Sequence, residues 1–260
     1  MPARSSLEGP APPFVELSFY LADASDDAGL RKLVGCLEGL GASPTGRVLV
    51  HLPPDATLPF GGPTDFEQHR RQIAGFGDLD RLSEDEGCRL VAVEVSGLFS
   101  YDRDRFATVT LVRISDTSVG RENHPVAVWA SGEAFSGPQG RRAIAVGAEV
   151  RNVFVEIVSC IEPSYGAITV DWPLGTPGSI ADDPKAGSDY RDFYLARAYA
   201  GEPSLSRVES AAADLDIERS KRGLFVFSSP AFGGPPGVDH GSAGTAFTRA
   251  IGRRGRRQWG

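Results

Sequence analysis

Soft and imidazole ligands are scarce in this chain: 260 residues hold three cysteines, four histidines and one methionine. Cys36, Cys88 and Cys160 are far apart, odd in number and without any C-x-x-C. That pattern argues against a disulfide framework and for a reducing compartment. Each cysteine lies among apolar residues, the usual setting of a buried thiol. His51, His69, His124 and His240 form no H-x-H, no H-E-x-x-H and no metal-like spacing with cysteine, so no metal site is expected. No run approaches the roughly 18 apolar residues of a membrane span. The opening MPARSSLEGPAPPF lacks the apolar centre of a secretion signal. The sequence reads as cytoplasmic, with no membrane partner.

Catalytic signatures are also missing. There is no G-x-S-x-G elbow and no G-x-x-x-x-G-K-[ST] phosphate loop. Gly75-Phe-Gly77 follows an expected helix, the wrong context for a dinucleotide turn. Asp102-Arg-Asp104 has the form of a divalent-cation pair, but Arg103 and Arg105 alternate with the acids and make a charged loop the simpler reading. Asp78-x-Asp80 and Asp214-x-Asp216 repeat the pattern by chance in an acidic chain. No cofactor is implied, and the balance is against an enzyme.

What is present is acid, arginine and glycine. The formal charge is −7. Of 27 basic residues only Lys32, Lys185 and Lys221 are lysines, as a GC-rich coding bias would produce. Every acidic residue lies at or before Asp239, and Arg249, Arg253, Arg254, Arg256 and Arg257 follow it. The body is therefore more acidic than the whole. That disfavours nucleic acid, which needs a positive face, except through those five arginines. It suits a basic partner.

Periodicity gives an α+β order with a mixed, largely antiparallel sheet, helices packed mainly on one face, and room for a split β-α-β unit. Strands are expected at 14–21, 47–52, 89–96, 106–114, 125–130, 165–171 and 223–228. Leu30, Leu33, Val34, Leu37 and Leu40 recur at helical spacing after Ser25. A capping box at Thr64 and Glu67 predicts a short helix reaching Ile73. A long helix is expected from Ser136 to Ile161, another from Ser188 to Ala200, and a further one near 205–215. Residues 1–12 read as a disordered N-terminus, 13–229 as one domain, and 230–260 as a Gly/Pro/Arg-rich tail.

Glu162 to Gly201 gathers four of the six tyrosines and Trp172 among acids. If residues 189–200 are helical, Tyr190, Phe193 and Tyr194 form an ordinary inward stripe. What remains is a loop between a strand and a helix, where function concentrates. Trp172, Asp182, Asp183, Asp189 and Tyr199 are the expected partner-binding residues, suited to a basic protein as in an immunity factor or regulator. The competing expectation is a small-molecule enzyme with His51, Tyr165 and Asp171 at strand ends.

Overall fold

The computed structural model describes residues 13–51, 68–86, 89–100, 107–111, 123–135, 141–171, 173–183 and 190–258. Among the described residues ten strands form one sheet. In chain order they are β1 (Phe14–Tyr20), β2 (Ser43–His51), β3 (Gln68–Gln72), β4 (Arg89–Ser96), β5 (Ala107–Leu111), β6 (Val126–Ser131), β7 (Tyr165–Val170), β8 (Asp192–Ala196), β9 (Asp216–Arg219) and β10 (Gly223–Phe227). Their order across the sheet is β3-β2-β4-β5-β6-β1-β7-β8-β10-β9. Every described strand pair is antiparallel.

The helices are α1 (Asp26–Gly39), α2 (Asp78–Glu86), α3 (Arg141–Ile161), α4 (Pro177–Asp182), α5 (Arg197–Ala200), α6 (Glu202–Ala211) and α7 (Gly241–Gln258). The protein is α+β. Because β6 and β7 are both antiparallel to β1, they run the same way. The connection between them passes through α3, so β6-α3-β7 with β1 in the middle is a split β-α-β unit.

Local chemistry explains the well-behaved elements. Ser25 caps α1, its hydroxyl accepting from the Ala28 N–H at 3.3 Å, and Asp26 and Asp27 favour the positive helix end. Leu30, Leu33, Val34 and Leu37 are buried, and Gly41 ends the helix region at φ 91°. In α3, Val146, Val150, Phe154, Ile157, Val158 and Ile161 form the buried stripe. Gly147 brings that helix against the short 3₁₀ helix Pro230–Phe232. A Cβ there would stand 1.8 Å from the Ala231 carbonyl oxygen.

Neighbouring residues of β1 show that the sheet is covered from both sides. Phe19 stacks on Phe154 of α3 with centroids 5.3 Å apart. Tyr20 stacks on Tyr165 at 4.8 Å, and Tyr165 meets Phe247 of α7 edge-on at 6.2 Å. Consecutive strand side chains point to opposite faces, so α3 and α7 lie on opposite sides. α1 packs beside α3, while α4 and α6 pack against α7.

The second helical layer is what the sequence pattern concealed. Residues 241–258 are α7 and not a tail, because Ala243, Phe247, Ala250 and Ile251 recur on one face and are buried. Residues 192–196 are β8 and not a helix, because all five are buried and both faces are covered. Phe193 stacks on Phe247 at 4.2 Å, whereas Tyr194 turns to Phe225 on the opposite face, 4.7 Å away. Where the short helix is expected to reach Ile73, Gln68–Gln72 form β3, and α2 follows at Asp78–Glu86; Thr64 and Glu67 lie outside the described residues. Cys36 is buried as expected, but Cys160 is exposed. Burial and the adjoining Cys160 thiol push the Cys36 thiol up.

Candidate functional site

The segment after β7 folds back over the α7 face of the sheet. Leu174 is fully buried. The Tyr165 hydroxyl donates to the Gly175 carbonyl at 2.9 Å, and the Gly175 N–H donates to the Tyr190 hydroxyl at 2.9 Å. Glycine is required here by space, since a Cβ would lie 2.7 Å from Ile180 Cγ1 and 2.8 Å from Ser179 Oγ. Thr176 then caps α4, its hydroxyl accepting from the Ser179 N–H at 3.2 Å, with Pro177 in the first turn. Ile180 is buried. Ala181 rests on α7 at Gly252, where a Cβ would come within 3.2 Å of Ala181 Cα. This clamp leaves Asp182 and Asp183 exposed at the end of α4. Trp172 and Asp189 lie outside the described residues.

Tyr199 is placed elsewhere. It is buried beside Tyr165, with centroids 5.7 Å apart. It lines a cleft of about 640 Å³ at the other end of β8, where Asp23 and Glu162 face Arg197, Lys221 and Arg222. Arg222 pairs with Glu162 at 2.7 Å. Asp182 and Asp183 do not line this cleft, so the residues grouped by sequence proximity divide between two places.

His51, Tyr165 and Asp171 are not brought together. His51 ends β2 opposite Arg89 and Gln68. Asp171 follows β7, and β4, β5, β6 and β1 lie between β2 and β7. Five strand spacings of about 4.8 Å make roughly 24 Å of lateral separation alone. Asp171 has a structural task. Its carboxylate accepts from the Phe14 N–H at 2.9 Å and its own N–H donates to the Phe14 carbonyl, in a left-handed conformation at φ 58°. Tyr165 is fully buried. The lateral separation of β2 from β7 keeps His51 apart from Tyr165 and Asp171.

Among the described residues three carboxylates are buried: Glu16, Asp192 and Glu94, the last accepting from the Thr45 hydroxyl at 2.6 Å. Glu16 lies beneath the 173–176 segment, opposite Trp129 and Thr169 in the sheet. It accepts from the Ser18 hydroxyl and from the Leu174 N–H at 3.4 Å, and burial pushes its pKa up to about 7. Asp192 is held by the N–H groups of Ser228 and Ser229 at 2.9 and 3.0 Å and by the Ser229 hydroxyl. Burial nonetheless raises its pKa from the ordinary value. The alternation Glu16-x-Ser18 has the form of a solvent-facing strand edge, and only the returning loop and α7 make that face interior. Among the described residues no group of three metal-ligating side chains converges, and no helix is long and apolar enough to cross a membrane.

A further cleft of about 570 Å³ runs between α6 and α7. Ser204, Arg207 and Ala211 line it from one helix, and Ser242, Thr245, Ala246, Arg249 and Ala250 from the other. Its arginines belong to helices that the sequence pattern separates by a presumed end of the domain, so no spacing rule links them.

No protein-family model matches the chain, and no curated protein does. Among solved structures, a Pseudomonas aeruginosa T6SS protein, PA0821, is similar over 92% of this chain and 71% of its own, at 11% identity and a TM-score of 0.43.

Proposed function

We propose that this chain is a binding protein that engages a basic protein partner through acidic groups carried on the α4–α7 face, in the manner of a neutralising or regulatory factor. The observation that carries this reading is the exposed pair Asp182 and Asp183 on a helix end fixed by buried contacts at Leu174, Ile180 and Gly252. A rigid mount lowers the ordering cost of association, and paired carboxylates on an acidic body steer a cationic surface toward it. Trp172 and Asp189, adjacent in sequence to the same segment, belong to this proposed surface. Tyr199 contributes as a buried support for Tyr165.

The experiment is capture from the native cell followed by kinetics on the identified partner. The double variant Asp182→Lys/Asp183→Lys should lower the association rate by about tenfold at low salt and flatten its salt dependence. An unchanged rate and unchanged salt slope would remove Asp182 and Asp183 from the interface. A captured partner without a basic surface would overturn the partner class.

A further inference from the structure

Most arginines around the C-terminal half of the sheet are paired. Arg151 bonds to Asp216 at 2.7 Å and to Glu218, Arg197 to Glu202 at 2.5 Å, Arg219 to Glu209, and Arg222 to Glu162. Arg207 and Arg249 differ. Both are exposed, both line the cleft between α6 and α7, and among the described residues neither has an acidic partner. The hydroxyls of Ser204, Ser242 and Thr245 line the same cleft and likewise meet no protein acceptor among the described residues. The one carboxylate in the lining, Asp239, accepts from the Gly241 N–H at 2.9 Å at the start of α7. Two guanidinium groups therefore face one engaged carboxylate, and the cleft carries net positive charge within an acidic protein.

We propose that the α6–α7 cleft binds a phosphorylated small molecule, with Arg207 and Arg249 gripping the phosphate from opposite helices. A guanidinium presents a planar fork of donors that matches phosphate oxygens. A tetrahedral phosphate can accept from two forks and from hydroxyls at once, as donors on two facing helices require. Ala211, Ala246 and Ala250 form a small apolar floor. The volume of about 570 Å³ falls in the usual range for ligand sites, roughly 300–1,000 Å³, and leaves room for an organic remainder beyond the phosphate. Asp182 and Asp183 do not line this cleft, so it is separate from the proposed protein interface.

Calorimetric titration of the full chain tests this, with glucose 6-phosphate and adenosine monophosphate as probes, and glucose, adenosine and inorganic phosphate as controls. At least one phosphorylated probe should bind saturably and more tightly than inorganic phosphate, with its unphosphorylated counterpart silent. Arg207→Gln and Arg249→Gln should each weaken it about tenfold. Ser242→Glu, which adds a carboxylate to the cleft from an exposed position, should abolish binding without relying on either arginine variant to fold. No saturable binding of any phosphorylated probe, undiminished affinity in Arg207→Gln/Arg249→Gln, or binding of an acidic hexapeptide in place of the phosphorylated probes would each overturn the proposal.

Discussion

From β2 to β6 the inward side chains are branched aliphatics: Val48, Val50, Leu90, Val93, Val95, Val126 and Val128, covered by Leu30, Leu33 and Leu37 of α1. From β7 to β10 they are rings: Tyr165, Phe193, Tyr194, Phe225 and Phe227, with Phe154 of α3 on one side and Phe247 of α7 on the other. The two halves share one sheet but solve different problems. Branched aliphatics suit a strand packed under a single flat helix layer. Rings reach across the thicker, doubly covered half, and their hydroxyls can hold irregular backbone that no strand neighbour satisfies. Tyr165 and Tyr190 do so at Gly175. The aromatic half is thus where a non-repetitive segment can be fixed rigidly on the surface, and both candidate binding features lie on its α7 face.

The severest way to break this comparison is to remove α7. Truncation of residues 241–260 should unfold the aromatic half, which a dispensable tail would not. The milder Phe247→Ala should cost about 3–5 kcal/mol, because that ring contacts Tyr165, Tyr190 and Phe193 at once. Urea unfolding followed by Tyr and Trp fluorescence measures it, and a loss under about 1 kcal/mol would show that α7 is not part of the core.

Next in size is the α3 seat. Gly147→Ala forces the helix away from Ala231 and should cost about 1–3 kcal/mol or more, read from the same unfolding curve. Tyr190→Phe keeps the ring but leaves the buried Gly175 N–H without its acceptor, at about 1–3 kcal/mol. Local hydrogen exchange should rise at Gly175 while the β2–β6 amides keep their protection.

The smallest effect depends on pH. Glu16 ionises near 4.5 in an unfolded chain and near 7 in the folded one. Between those values the folded state holds the extra proton, so stability is greatest below about 4.5 and declines as pH rises through 7. Glu16→Gln should remove that decline and leave the variant about 1–3 kcal/mol more stable than the parent at pH 8. Urea melts at about pH 5, 6.5 and 8 would reveal the flattened slope. An unaltered slope would mean that Glu16 is ionised throughout.

The sequence was informative where one periodicity met one environment. Leu30, Leu33 and Leu37 of α1 and the α3 stripe are each explained by a single buried face. It was uninformative where an element is covered on both sides. Tyr190, Phe193 and Tyr194 fall at helical spacing, but β8 sends Phe193 and Tyr194 to opposite faces, and only Phe247, 54 residues on from Phe193, decides between the two readings. In α7 the glycines and arginines outnumber the apolar residues, so a composition rule sees a tail although Ala243, Phe247, Ala250 and Ile251 already repeat helically. The candidate loop, expected between a strand and a helix, instead joins β7 to β8 and contains α4, with Asp182 and Asp183 exposed. Its anchoring by Leu174 and Gly175 is not legible in the sequence, because Leu174 bonds to Glu16, 158 residues away, and Gly175 to tyrosines whose placement depends on β7 and the segment before β8.

Arg151 has a consequence for solubility. Its guanidinium lies 3.8 Å above the Phe227 ring, bonds to the Phe232 carbonyl at 3.0 Å, and joins Asp216 and Glu218 of β9. β9 is four residues long, highly charged and the outermost strand on its side of the sheet. A second molecule trying to extend the sheet there would meet a brief, ion-paired rim with little apolar surface to gain. Such rims discourage the strand-by-strand stacking that leads to fibrils, so this arginine protects the broad sheet from self-association at that border.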